Sequence, residues 1–150
     1  MKRILSFILT FLLLTGALSL TACGTVDPAR YTDKPFDGVA LPDRIVLAAA
    51  VNESTVYDTE DRELIASFTE MLSSARYQKV DVSETEGKST LDRAFCFYQK
   101  EGETLSPTLS LTVYEGGSLI LVEKGEEAAA YRVLDMDTAL CERVSESARS

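Results

Sequence analysis

Hydrophobic residues fall into three regimes along the chain. Ile4 to Leu20 is an apolar run with no acidic residue, preceded by Lys2 and Arg3. Residues 23–42 then show neither helical nor strand periodicity and carry Pro28, Pro35 and Pro42, the composition of a flexible tether, with Tyr31 and Phe36 as candidates to dock onto the domain. From residue 43 to 150 periodic segments alternate with turn signals, which predicts one globular domain. Arg44 to Val51 reads as a first strand. Leu64, Ile65, Phe68, Met71 and Leu72 recur at i, i+1, i+4, i+7 and i+8, an amphipathic helix with one buried stripe, capped by Asp58 or Thr59. Tyr77 to Val82 is a short strand, and 83–90 is a polar, exposed loop.

Four segments follow with period two. Phe95 and Phe97 share one face of a strand over Arg93–Lys100, with Ala94, Cys96 and Tyr98 on the other. Leu109, Leu111 and Val113 alternate with Ser110, Thr112 and Tyr114. Gly116-Gly117 is a two-residue hairpin signal before Leu119–Val122. Ala129, Tyr131 and Val133 form the last strand. Asp135 or Asp137 then caps a closing helix carrying Met136, Leu140 and Val144, whose tail from Ser145 to Ser150 is expected to fray. This order predicts the α+β class: a single antiparallel sheet of about five to six strands, a meander, with two helices packed on one face.

The apolar leader ends in Leu20-Thr21-Ala22-Cys23-Gly24. That stretch resembles the lipobox of bacterial lipoproteins. The resemblance implies that residues 1–22 are a signal peptide and that Cys23 becomes the lipid-modified N-terminus. It also implies anchoring to the outer face of the plasma membrane, or to the outer membrane in a cell with two membranes. The domain's pattern is similar to small uncharacterised lipoprotein domains of Gram-positive bacteria. They share an Arg-Ile-Val strand, here Arg44 to Val46, an amphipathic helix, a meander and a closing Tyr-Arg-Val-Leu stretch, here Tyr131 to Leu140. That family brings no settled activity with it.

Composition narrows the chemistry. The 150 residues include no His and no Trp, with 15 basic against 24 acidic residues and a net charge of −9. Loss of Lys2 and Arg3 with the leader takes the net charge from −9 to −11. Without His there is no Ser-His-Asp or Cys-His catalysis and no imidazole metal ligand. The acidic balance argues against a nucleic-acid partner. Asp135-Met136-Asp137-Thr138 partly resembles the D-x-D-x-T nucleophile motif of aspartyl phosphotransferases, but its threonine stands one position early, and helix capping explains the aspartates more simply. Asp58, Glu60, Asp61 and Glu63 lack the alternating ligands and central Gly of an EF-hand loop. No phosphate-cradling glycine motif is present. Neither metal nor cofactor is expected.

Two features stay open. Cys96 and Cys141 form either a disulfide or two free thiols acting as small hydrophobes. Tyr98, Tyr114 and Tyr131 all lie on predicted strands, where they form either an exposed binding patch or ordinary cross-strand packing. The balance favours a membrane-anchored, non-catalytic binding, sensing or accessory module for an envelope protein, peptide or glycan. A carboxylate-dependent envelope hydrolase, for example a glycan-cleaving one, and a purely structural lipoprotein are the alternatives.

Overall fold

The computed structural model describes residues 26–48 and 57–150; the leader, Cys23, and Ala49 to Val51 of the expected first strand lie outside them. The elements are β1 (Arg44–Ala48), β2 (Tyr57–Thr59), α1 (Arg62–Ser74), β3 (Arg76–Val80), β4 (Thr90–Glu101), β5 (Thr104–Tyr114), β6 (Leu119–Lys124), β7 (Glu127–Leu134) and α2 (Thr138–Arg149). All seven strands join one sheet in the order β2-β1-β4-β5-β6-β7-β3, and every pairing is antiparallel. The α+β class holds, with seven strands where five to six were expected. The additional strand is β2, whose register sets Ile45 opposite Thr59 and Leu47 opposite Tyr57.

Register turns the period-two pattern into a core. Ile45, Phe97 and Leu109 form one cross-strand row, and Leu47, Phe95, Leu111 and Val122 the next. All seven are buried. Phe68 of α1 stands over these rows, its ring centroid 5.1 Å from Phe95 and 6.1 Å from Phe97. Ile65 and Leu72 of α1 and Leu140, Cys141, Val144 and Ala148 of α2 join the same core. Ala148 is one reason the C-terminal tail does not fray as expected: the stripe at 140, 141, 144 and 148 keeps the last turns against the sheet.

Both helices begin on aspartate. Asp61 Oδ1 accepts from the backbone N–H of Glu63 and Leu64, each at 3.1 Å, so the cap is Asp61 rather than Asp58 or Thr59. Those two are engaged by the β1–β2 ladder, and the Asp58 carboxylate lies 3.2 Å from the Arg44 guanidinium. Asp137 caps α2 by accepting from Leu140 N. Asp135 instead takes Arg76 in an ion pair at 2.5 Å. The Gly116-Gly117 turn needs its second glycine: at φ +66 a Cβ on Gly117 would collide with Thr138 Cγ2, so this residue lets the β5–β6 connection pass under the start of α2.

The stretch expected as tether packs against the domain from Asp33 onward. Asp33 N donates to Tyr77 O at 3.0 Å, and its carboxylate accepts from Lys79 N at 2.7 Å. Phe36 enters the core at 3% exposure, its ring 5.5 Å from Tyr77. Lys124 Nζ donates to Pro35 O at 3.0 Å. Burying a phenylalanine supplies about 1.5–3 kcal/mol, enough to hold a short strap that the proline content disguises as linker. Farther along, Asp43 ties three elements together. Its carboxylate accepts from Lys100 N at 2.8 Å and from Arg62 at 2.6 Å, and these bonds hold its pKa below the ordinary 3.8.

Two predictions follow from this packing. The Tyr77 hydroxyl donates to Leu72 O at 2.5 Å in the buried interior, serving a carbonyl that the end of α1 leaves without a helical donor. Tyr77→Phe should therefore cost about 1–2 kcal/mol in urea unfolding, with the m-value unchanged; an unaltered midpoint would show that the bond contributes nothing. Asp43, with its pKa lowered on folding, adds stability that is complete above its ordinary 3.8 and lost as the pH falls through the lower folded value. Asp43→Asn should consequently lose less stability than the parent between about pH 5 and about pH 3, as read by thermal melts across that range.

Candidate ligand-binding recesses

The three tyrosines singled out in the sequence do not meet. Tyr98 and Tyr114 lie on the sheet face opposite the helices, alternating with the buried Phe97 and Val113. Tyr114 pairs with Thr90, eight residues along β4 from Tyr98, which separates the two by roughly 25 Å. Tyr131 faces the other way. It pairs with Ile120, packs against the core, and meets Tyr77 edge-on at 6.3 Å. Burial, and then the neighbouring Asp33, raise its hydroxyl pKa. Each tyrosine lines a different depression.

The two thiols are likewise apart. Cys96 shares the outer face with Ser110, while Cys141 belongs to the core on the helix side. Both are free, and the sheet lies between them. Burial first, and Asp137 second, push Cys141 up to about 12; burial also raises Cys96. Neither is poised as a thiolate nucleophile.

A depression of about 820 Å³ lies where the outer end of the β5–β6–β7 meander meets two chain segments from elsewhere. Its wall is Tyr114, Leu119 and Leu134; Val26 and Tyr31 come from the N-terminal segment, and Glu84, Lys88 and Ser89 from the loop before β4. That segment was expected to be a polar, exposed loop, and it is largely exposed, with Glu84 and Thr85 half-buried. It folds back because Asp81 caps a single 3-10 turn, accepting from Ser83 N at 2.9 Å, and because Glu84 accepts from Arg132 at 2.8 Å. The Ser83 hydroxyl and amide together hold the Asp81 carboxyl below its usual range. Arg132, Glu84 and Lys88 were not singled out from sequence. Their only local signal was a polar run, and the partner that shapes it stands 48 residues away.

Chemically this recess offers two aromatic rings with hydroxyls, an apolar wall and two cations. Its one carboxylate among the described residues, Glu84, is already committed to Arg132. The depression beside Tyr98, with Cys96, Pro107 and Glu123, is smaller, about 310 Å³. The acidic residues 58–63 serve structure: Asp58 and Glu60 pair with Arg44, raising its pKa, and Asp61 caps α1. Among the described residues no group of three or more potential metal ligands converges, and no helix is long and apolar enough to cross a membrane.

No family model matches the chain, and neither a curated protein nor a solved structure is similar to it.

Proposed function

We propose that the chain is a bacterial lipoprotein, anchored through Cys23 to the extracytoplasmic face of a membrane, and that it acts there as a non-catalytic binding or sensing module. The recess built on Tyr31, Tyr114, Lys88 and Arg132 carries this reading. Its volume of about 820 Å³ falls in the range of small-ligand sites. Tyrosine supplies flat apolar area with a polar tip, which suits sugar rings and peptide side chains alike. The single carboxylate is held in an ion pair, an arrangement for fixing charge rather than for moving a proton.

Position supports the same reading. Val26 lines the recess and stands three positions after Cys23, a reach of about 11 Å at most. An anchor at Cys23 therefore keeps the recess beside the membrane surface, within reach of the envelope polymers assembled there. Because the segment from Asp33 is docked, the domain has little free chain on which to move away.

The anchor is tested by growing cells with a clickable fatty acid. The wild type should be labelled and Cys23→Ala should not; equal labelling would overturn the lipoprotein reading. The recess is tested with soluble peptidoglycan fragments, followed by ligand-observed NMR on the full chain in neutral detergent. Tyr31→Ala with Lys88→Ala changes surface groups, so stability should move by no more than about 0.5 kcal/mol for each. Binding should weaken about tenfold, the equivalent of 1.4 kcal/mol. Undiminished binding by that variant, or none by the wild type, would sink the assignment.

A further inference from the structure

A second depression opens on the helix side of the sheet, where the strap rather than a helix borders β6 and β7. It holds about 510 Å³ and is lined by Lys34 of the strap, Lys79 of β3 and Lys124 of β6, with Tyr131, Asp37 and Glu127. Arg30, Arg44, Arg62, Arg76 and Arg132 each stand in an ion pair with a carboxylate. Lys34, Lys79 and Lys124 stand in none among the described residues, although two carboxylates line the same depression. In a chain of net charge −9, three elements thus bring three ammonium groups that stand in no ion pair to one depression, at a cost in mutual repulsion.

We propose that this recess binds a compact phosphate group, carried either by a free phosphomonoester or by the phosphodiester of a lipid headgroup. Each lysine is a compact charge with three N–H donors and no acceptor, which suits a tetrahedral oxyanion approached from several sides. Lys124 spends one donor on Pro35 O and keeps the others. Tyr131 lines the same recess, together with Val122 and Ala129. Asp37 and Glu127 limit the site to a compact anion, since an extended polyanion would meet them. The site lies on the opposite side of the sheet from the tyrosine recess and does not depend on the anchor.

The experiment uses the full chain in neutral detergent, titrated with inorganic phosphate and separately with glycerophosphoglycerol, against sodium chloride at matched ionic strength. Phosphate-group ligands should raise the melting temperature beyond the chloride control. Lys34→Gln with Lys79→Gln, both exposed side chains, should weaken binding at least about threefold, as removal of two exposed charge contacts predicts. Lys100→Gln, which lies outside the recess, should leave it unchanged. Lys124→Gln also loses the Pro35 contact, so the double variant decides the matter if that protein unfolds. A response to inorganic phosphate alone assigns a free phosphomonoester, one to glycerophosphoglycerol alone assigns a headgroup, and a response to both supports the shared chemistry. Equal effects of phosphate and chloride, retention by the double variant, or equal loss in Lys100→Gln would overturn the proposal.

Discussion

A sheet seven strands wide presents more apolar face than two helices can cover. At about 4.8 Å between strands, seven strands span roughly 29 Å, whereas two helices side by side cover about 20 Å. The uncovered width lies toward β7 and β3, and the strap fills it. Phe36 stands against Tyr77, and Tyr77 in turn contacts Tyr131. Tyr77 is therefore the joint at which strap, helix and sheet meet: its ring supports the strap, its hydroxyl closes the end of α1, and its backbone pairs with Asp33. The position of the N-terminal segment, and hence of both recesses it helps line, follows from this unfilled width.

Elements with a strong period were legible in the sequence. The α1 stripe and the alternation of Phe95 with Phe97, and of Leu109 with Leu111 and Val113, needed only the local pattern to assign face and type. The same alternation already placed Tyr131 with Val133 on the core face and Tyr114 opposite Val113, so the separation of the tyrosines was readable, and grouping them overlooked parity. What local pattern could not show was pairing across distance. Tyr57–Thr59 is three residues long and becomes a strand only because β1 lies beside it. Pro35 and Pro42 look like linker residues, yet both are buried, because a strap at a sheet edge needs few backbone donors.

The candidate sites were least legible for the same reason. The polar run 83–90 becomes a wall only through Glu84 and Arg132, and the lysines converge from positions 34, 79 and 124. No window of sequence contains any of these sets. Charge type was the signal available: arginine's planar fork favours committed pairs with carboxylates, while lysine is a mobile point charge. Arg44, Arg62, Arg76 and Arg132 join separate elements through such pairs, while Lys34, Lys79 and Lys124 line a surface depression.

β7 shows how one strand serves two faces without mixing their chemistry. Arg132 turns toward the outer recess and Tyr131 toward the lysines, because consecutive side chains in a strand point to opposite sides. The buried layer between them includes Ala130 and Val133, so charge on one side is separated from charge on the other by packed apolar side chains. Occupancy of either recess would have to move that layer to be felt at the other, and close-packed interiors resist such displacement. The two depressions therefore share a strand but no lining residue, with packed apolar side chains between them.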